Sequence, residues 1–337
     1  MDTTTLLITI PLGKKQLDKI RAVSPGIHIE HFPVNDAAAI PETVLEQTDI
    51  LFTGRTLPDP ESLPSLKWIQ FHYAGIDYAT GHPLLQKQIT ICTASGAATP
   101  QMAEFALMAM LALGHRLPHA LVDQRQKSWT EHRFERFRPQ ELRFSTVGMI
   151  GYGSVARDIA RLLKPLGTQI LAVKRDLTKL EESGFSIEGT GDPHADFPTR
   201  IYPPEAVGSM ASLCDFLVIT APLTTKTRGM IDEHVFNKMK PTSYLIDISR
   251  GGILDHGALI EALNEGKIAG AFLDVFPVEP LPLNSPLWTH EKVLLTPHIA
   301  WFSDSYIEQS VTILIENLHR HFEDRPLLNI YEPNQEY

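Results

Sequence analysis

The chain has 337 residues, enough for two ordinary domains with large cores, and 43% of its residues are hydrophobic. Its formal net charge of −10 argues against a nucleic-acid-binding protein, which usually carries an excess of basic residues. The N-terminal residues lack the basic stretch and long apolar core of a signal peptide, and no apolar run is long enough to span a membrane, so we expect neither feature.

The chain contains two cysteines, Cys92 and Cys214, whose spacing is unlike that of metal ligands. They predict no metal site, and two cysteines do not make a disulfide framework. A reducing cytoplasm is therefore the predicted location.

Short apolar runs alternate with helical or turn-like segments along the first hundred residues, a pattern typical of an α/β domain. A longer apolar segment, Ala103–Leu117, follows; it is too short to span a membrane and charged residues bracket it, so it predicts a buried helix. The predicted strands of this part are Leu6–Ile10, Ile27–Phe32, Asp49–Gly54, Lys67–His72 and Ile89–Ala94.

A second α/β series begins after residue 145. Helical patterns such as Asp255–Lys267 separate most of its strands, which favours parallel pairing with right-handed crossovers. The last amphipathic segment, Asp304–Asp324, comes after this series, and we expect it to fold back onto the first domain. We therefore predict a discontinuous first domain, residues 1–100 plus 302–337, and a second domain of residues 101–301. The strands of the second series are Thr146–Gly151, Gln169–Val173, Asp215–Ala221, Ser243–Ser249, Gly270–Phe276 and Lys292–Pro297.

The segment Ser183–Ala206 is rich in glycine, proline and aspartate, and it predicts a long surface loop. Loops of this length are uncommon and are either functional or mobile. The sequence assigns this segment no role.

The residues from Gly151 to Ala156 fit the pattern G-x-G-x-x-A between a strand and a helix. Gly151 permits the tight turn, Gly153 lets a pyrophosphate approach the backbone, and a small residue at Ala156 lets helix and strand pack closely. An ordinary strand–helix turn can carry the same residues. The preceding strand and the following helix favour a dinucleotide-binding site.

Lys174 and Arg175 stand at the end of the next strand, where a site for NAD usually carries an acid for the adenosine ribose. A basic pair there is typical of a site for the 2′-phosphate of NADP. The alternative is a solvated pair of charges whose side chains point away. We predict NADP as the cofactor, with NAD possible.

Three chemically complementary residues follow three successive strands of the second series: Arg250, Glu279 and His298. Ligands of an open parallel sheet bind beyond the carboxyl ends of its strands. An arginine can clamp a carboxylate through two hydrogen bonds, a histidine donates protons near neutral pH, and a carboxylate stabilises a protonated histidine. Each residue alone has an ordinary structural explanation, but together they predict a site for carbonyl reduction.

Motifs along nearly the whole chain resemble, in order and spacing, those of the D-isomer-specific 2-hydroxyacid dehydrogenase family. The resemblance implies two doubly wound α/β domains, one flavodoxin-like and one Rossmann, with an active site in the cleft between them, and a homodimer. It also implies reduction of a 2-keto acid to the D-2-hydroxy acid, with glyoxylate or hydroxypyruvate as the default substrate and larger 2-keto acids as the alternative. The motifs are LKWIQFHYAGID from Leu66, MAEFALMAMLAL from Met102, VGMIGYGSVARDIA from Val147, APLTTKTRGMI from Ala221, DISRGGILDHGAL from Asp247, LDVFPVEPLP from Leu273 and TPHIAWFS from Thr296.

The resemblance also implies roles for single residues. Arg250 would hold the substrate carboxylate and carbonyl, His298 would exchange the proton, and Glu279 would support His298. Gly75 and Ile76 match a loop whose N–H groups hold the substrate carboxylate, and Trp301 matches an aromatic pocket wall. Among the positions that match cofactor contacts, Asp274 corresponds to the residue that orients the nicotinamide amide; the others are Ser154, Val155, Pro222, Ile248 and Ser249.

Two alternatives share this fold. Formate and phosphite dehydrogenases are the enzymatic one, although Glu279 counts against a formate dehydrogenase because those enzymes lack the acid partner of the histidine. The other is a cofactor-sensing regulator resembling the C-terminal-binding corepressors, which also have a tryptophan after the histidine motif. The absence of appended interaction tails in this sequence counts against it.

Overall fold

The structure, a computed structural model, describes residues 3–332, so the outermost residues of the predicted first domain, 1–2 and 333–337, lie outside it. The chain divides into two compact units. The first comprises the residues up to Ala97, Ser183–Ser186 and the residues from Ser303 onward; the second comprises Ala98–Glu182 and Ile187–Phe302.

Strands and helices alternate through both units. The strands are β1 (Thr4–Ile8), β2 (Ile27–His31), β3 (Ile50–Thr53), β4 (Trp68–Phe71), β5 (Thr90–Cys92), β6 (Thr146–Ile150), β7 (Gln169–Val173), β8 (Arg200–Tyr202), β9 (Phe216–Ile219), β10 (Tyr244–Asp247), β11 (Gly270–Leu273) and β12 (Val293–Leu295). The α-helices are α1 (Lys14–Arg21), α2 (Glu42–Glu46), α3 (Thr99–Gly114), α4 (Leu117–Gln126), α5 (Arg133–Arg136), α6 (Ser154–Leu163), α7 (Val207–Ala211), α8 (Glu233–Phe236), α9 (His256–Asn264) and α10 (Tyr306–Phe322).

The first unit is built on a parallel sheet of order β2-β1-β3-β4-β5. This is the flavodoxin-like order. Successive residues of β1 enter the cores on opposite faces, Leu7 on one and Leu6 and Ile8 on the other. The helix α10 packs on the second face through Val311, Leu314 and Leu318, so both faces of the sheet are covered and its strands are apolar throughout. Near the end of the described chain, Ile330 forms an antiparallel bridge with Cys92 of β5, and the Tyr331 N–H donates to the Ile91 carbonyl at 2.7 Å.

The second unit is built on a seven-stranded parallel sheet of order β12-β11-β10-β9-β6-β7-β8. Counted within the unit, the strands run 3-2-1-4-5-6-7, which is the Rossmann order with one added strand. The helices α3 and α6 pack against each other on one face. The predicted fold class, a flavodoxin-like and a Rossmann α/β domain, is confirmed by the two sheets.

The strand β8 was not predicted. It lies inside the segment Ser183–Ala206, which the sequence analysis interpreted as a surface loop, and that interpretation is wrong for Arg200–Tyr202. The three residues pair in parallel with β7 and supply the third strand of the Rossmann half. The prediction failed because the strand is short and lies among proline, glycine and aspartate.

Two further findings concern the chain as a whole. Within residues 3–332 no single helix has the length and apolar character needed to cross a membrane. The helices α3 and α4 reach that length and apolar character only when taken together, and the pair is bent by 62°. Cys92 and Cys214 are both buried free thiols.

Candidate active site

The glycine turn lies at the point in the second sheet where the strand order reverses. The strand β6 has β7 on one side and β9 on the other. Ligands of doubly wound sheets bind beyond the carboxyl ends of the strands at the point where the order reverses. Gly151 follows β6 with φ +92°, and a Cβ there would lie 2.9 Å from the Ala221 Cα. At Gly153 a Cβ would meet no atom within 4 Å, so the space in front of the second glycine is open.

The helix α6 begins directly after this turn. Its N-cap, Gly153, has an extended conformation and provides no side-chain cap, and the first N–H groups of a helix have no acceptor within it. Ser154 and Val155 occupy the first two helical positions, and Ala156 is buried against the sheet. Open space at a glycine and uncapped N–H groups at the positive end of a helix fit the pyrophosphate of a dinucleotide.

The basic pair stands beside the turn. The Gly151 N–H donates to the Val173 carbonyl at 3.1 Å, which brings the turn next to the end of β7. Lys174 is half-buried there, and burial, followed by the positive charge of Arg157, lowers the pKa of its ammonium. Arg175 is exposed.

The residues predicted at the ends of β9 and β10 lie at the same edge of the sheet. Pro222 is exposed, and its carbonyl accepts a hydrogen bond from the Thr227 hydroxyl at 2.7 Å. Ile248 and Ser249 are buried directly after β10. The Ser249 N–H and hydroxyl both donate to Asp247 Oδ1, at 3.0 and 2.6 Å.

Asp247 is a feature of the site that the sequence analysis missed. It is fully buried, and within the described chain its Oδ2 has no hydrogen-bond partner. Burial raises its pKa to about 7, against the hydrogen bonds from Ser249, which lower it. Its signal in the sequence is an acid at the end of an otherwise apolar strand, three residues before Arg250.

His298 and Glu279 form a direct pair. The His298 Nδ1 lies 2.8 Å from Glu279 Oε2, and both side chains are about one-third exposed. Glu279 Oε1 accepts the Phe276 N–H at 3.0 Å, which anchors the carboxylate to the loop after β11. His298 has φ +55°, unusual for a residue with a side chain, and its N–H donates to the Asp274 carbonyl at 2.8 Å.

Asp274 holds the turn that carries His298. The carboxylate is fully buried, and it accepts hydrogen bonds from the Thr296 hydroxyl at 2.6 Å and from the N–H groups of Ile299 and Ala300 at 2.9 Å each. These three contacts bracket His298 on both sides. Its predicted contact with a nicotinamide amide stays a prediction.

Arg250 lies in a glycine-containing turn packed against the loop that carries Glu279. A Cβ at Gly251 would lie 1.9 Å from the Phe276 carbonyl oxygen, so only glycine allows this approach. The Arg250 Nη1 donates to the Ser249 carbonyl at 2.8 Å. The structure therefore brings the loops of Arg250, Glu279 and His298 together at one edge of the second sheet.

The remaining predicted residues lie elsewhere. Trp301 follows the His298 turn; its carbonyl accepts the Gln101 amide at 2.9 Å, and its ring contacts Phe302 edge to face. Gly75 and Ile76 belong to the first unit, in the loop after β4, where Ile76 is buried. Within residues 3–332 no three His, Cys, Asp or Glu side chains come together in a way that could hold a metal ion.

Comparison with known proteins gives the family. The model of the D-isomer specific 2-hydroxyacid dehydrogenase NAD binding domain matches residues 107–300. The human glyoxylate reductase/hydroxypyruvate reductase is 34% identical over 236 residues, which are 70% of this chain and 67% of the human protein. The chain belongs to the D-isomer specific 2-hydroxyacid dehydrogenase family, a family of oxidoreductases.

Two further relatives differ in extent. The D-3-phosphoglycerate dehydrogenase of Archaeoglobus fulgidus is 29% identical over 300 residues; these are 88% of this chain but only 53% of the archaeal protein, so this chain spans about half of it. A D-isomer specific 2-hydroxyacid dehydrogenase from Xanthobacter autotrophicus Py2, solved in complex with NADPH and MES, has a TM-score of 0.81 at 25% identity. That similarity covers 99% of this chain and all of the other.

Proposed function

We propose that this protein reduces a small 2-keto acid to the D-2-hydroxy acid with NADPH as the reductant. The observation that carries the proposal is the 2.8 Å contact between His298 and Glu279, at the same sheet edge as the glycine turn. A paired acid and histidine beside a dinucleotide site provide what carbonyl reduction requires of the protein, a positioned proton donor.

His298 donates the proton. Its Nδ1 is engaged with Glu279, so Nε2 is the nitrogen left to face the substrate oxygen. Glu279 stabilises the positive charge of the protonated ring and holds its orientation. Reduced nicotinamide, when bound, supplies the hydride that the carbonyl carbon accepts.

Arg250 binds the substrate carboxylate and polarises its carbonyl, because a guanidinium matches a carboxylate with two parallel hydrogen bonds. The N–H groups of the Gly75–Ile76 loop and the ring of Trp301 complete the proposed substrate contacts. Glyoxylate and hydroxypyruvate are the proposed substrates, and the name of the human relative supports them.

Cofactor binding is assigned to the glycine turn and the residues around it. Gly151, Gly153, Ser154 and Val155 hold the pyrophosphate, and Lys174 and Arg175 favour the 2′-phosphate of NADP over NAD. Pro222, Ile248, Ser249 and Asp274 line the remainder. The NADPH complex of the Xanthobacter relative supports this preference.

The reaction is tested by following the absorbance of reduced nicotinamide with a panel of 2-keto acids, with NADPH and NADH in parallel. His298→Gln should lose kcat by at least about 100-fold, the scale of general acid catalysis, while its cofactor affinity is unchanged. His234→Gln, an exposed histidine of the same unit, is the matched control. Near-normal turnover of His298→Gln contradicts the assignment.

Cofactor binding without turnover of any 2-keto acid would contradict the enzymatic proposal. Such a result, with cofactor-dependent binding of a peptide partner, would favour the regulator. Turnover of phosphite or formate in place of 2-keto acids would favour those dehydrogenases.

We also propose that the protein is a homodimer. The second unit exposes apolar side chains along one stretch of chain that runs through α3, α4 and α5, and burial against a second copy would remove them from water. They are Met108, Leu111, Leu117, Trp129, Phe134 and Phe144. Sedimentation equilibrium should give twice the chain mass, and Trp129→Ser with Phe134→Ser should weaken the dimer; a monomer at micromolar concentration contradicts the proposal.

The cytoplasmic location stays a prediction. Buried free thiols at Cys92 and Cys214 fit a reducing compartment.

A further inference from the structure

The connection between β7 and β8 begins with Lys174 and Arg175, and its remaining residues, 176–199, have no place in the proposed function so far. Part of it is joined to the glycine turn by buried polar contacts within the second unit. The Tyr152 hydroxyl, in the turn itself, donates to Asp192 Oδ2 at 2.6 Å. The Asp192 carboxylate also accepts the N–H groups of Asp196 and Phe197, so the acid holds its own loop as well as the turn.

Arg157 makes the second link. This arginine of α6 is 1% exposed, and its guanidinium lies over the Tyr152 ring and donates to the carbonyls of Leu180 and Asp192. Asp158, the next residue, accepts the Gly191 N–H at 2.9 Å. The helix that begins at the glycine turn therefore fixes the connection at residues 180 and 191–192.

These contacts determine where Glu182 lies. Glu182 lies two residues after Leu180, whose carbonyl accepts a hydrogen bond from Arg157. The Glu182 N–H donates to the Pro193 carbonyl at 2.8 Å. Its carboxylate occupies the space left by Gly191, where a Cβ would lie 2.9 Å from Glu182 Oε2. Oε2 is buried and has no hydrogen-bond partner in the described part of the chain.

Glu182 is also an electrostatic neighbour of Lys174. Each influences the ionisation of the other: Lys174 lowers the pKa of Glu182 and Glu182 raises that of Lys174, although burial dominates both pKa values in the opposite direction. The other charged groups around Glu182 are Arg157, Asp158 and Asp192. Those around Lys174 are Arg157, Arg175 and Asp176. The connection thus adds a negative charge that acts on the basic end of β7.

We propose that Glu182 is a specificity-determining residue of the cofactor site, whose negative charge opposes the 2′-phosphate of NADPH and so reduces the preference for NADPH over NADH. This inference rests on the proposed function, because it takes Lys174 to be at the adenosine ribose. A carboxylate beside Lys174 offsets part of the positive charge that a phosphate requires. An uncharged ribose hydroxyl does not meet this repulsion, so the charge lowers the preference for NADPH over NADH.

The test measures dissociation constants of NADPH and NADH by calorimetry on the full chain, without substrate. Glu182→Gln keeps the shape and removes the charge, and the ratio Kd(NADH)/Kd(NADPH) should rise about tenfold, which corresponds to about 1.4 kcal/mol. Lys174→Met should lower the same ratio. Glu181→Gln, an exposed glutamate one residue away, is the matched control and should leave the ratio unchanged.

An unchanged ratio in Glu182→Gln, or a change equal to that in Glu181→Gln, overturns the inference. Glu182→Ala repeats the test with a smaller side chain if the amide is not accommodated, and the ratio must rise there as well. A role confined to folding would weaken both cofactors equally and leave the ratio constant. Normal turnover with unchanged ratios refutes this inference alone, whereas absent turnover with shifted ratios refutes only the proposed reaction.

Discussion

Asp274→Asn tests how the His298 turn is held. The substitution preserves the size of the side chain and removes its charge, in a site with no access to solvent. In the native protein Oδ1 accepts from the Thr296 hydroxyl and the Ile299 N–H, and Oδ2 accepts from the Ala300 N–H. An asparagine has one acceptor oxygen, so its NH₂ group must face at least one of these donors.

The expected magnitude follows from that count. A hydrogen bond to a charged group contributes about 1.5–3 kcal/mol, and a buried donor left without an acceptor costs about 1–3 kcal/mol. With the amide oxygen in the place of Oδ1, two bonds weaken and one is lost. We therefore expect the free energy of unfolding of the second unit to fall by about 2–4 kcal/mol.

Urea denaturation monitored by tryptophan fluorescence measures this loss. Thr296→Val removes only one donor to the same carboxylate and should cost about 1.5 kcal/mol, the lower end of that range, because a methyl group takes the place of the hydroxyl. Because the turn carries His298, the fold-decrease in kcat of Asp274→Asn should be larger than the fold-decrease in its affinity for the cofactor. If Asp274→Asn costs no more than Thr296→Val, the carboxylate does not hold the turn and the reasoning is refuted.

Two predictions concern buried polar groups elsewhere in the second unit. The pKa of Asp247, raised by burial from 3.8 to about 7, means that the folded state takes up a proton that the unfolded state has lost. The difference in the free energy of unfolding between the wild type and Asp247→Asn should therefore favour the wild type most below pH ~4. It should decline by up to roughly 4 kcal/mol as the pH rises to ~7. Parallel pH profiles for the two proteins would contradict the burial argument. Tyr152→Phe should lower the free energy of unfolding by about 1–3 kcal/mol, because Asp192 loses a buried hydrogen-bond donor. Tyr244→Phe should leave it nearly unchanged, because the described chain gives the Tyr244 hydroxyl no partner. Equal shifts of the melting temperature in the two variants would show that the pairing of the hydroxyl does not determine the loss.

Most strands could be predicted because both faces of each sheet are covered, which makes the strands continuous apolar runs. Asp255 begins the predicted helical segment Asp255–Lys267, and aspartate is a preferred N-cap residue. Its side chain caps α9 by accepting hydrogen bonds from the N–H groups of Gly257 and Ala258. Boundaries were less accurate. The helix α3 begins at Thr99, before the predicted Ala103, because Pro100 is favourable in a first turn and the apolar run starts only later.

The candidate site was predictable where topology alone decides position. Parallel strands end at one edge, so residues following the strands of the second series were expected there, and the Arg250, Glu279 and His298 loops do lie together. The distances were not predictable. Asp192 meets Tyr152 across 40 residues, and no local periodicity records such a contact. The placement of Glu182 escaped prediction for the same reason, since it depends on Arg157 in another element.

The bridge between Ile330 and Cys92 has a consequence for association in solution. An edge strand exposes a row of N–H and C=O groups that can template pairing with another chain. In the first unit β5 is such an edge, and the Tyr331 N–H and the Asn329 carbonyl occupy the bonding positions of Ile91 and Thr93. A chain shortened before Asn329 would expose this edge, so aggregation, more than loss of catalysis, is the defect to expect from trimming that segment.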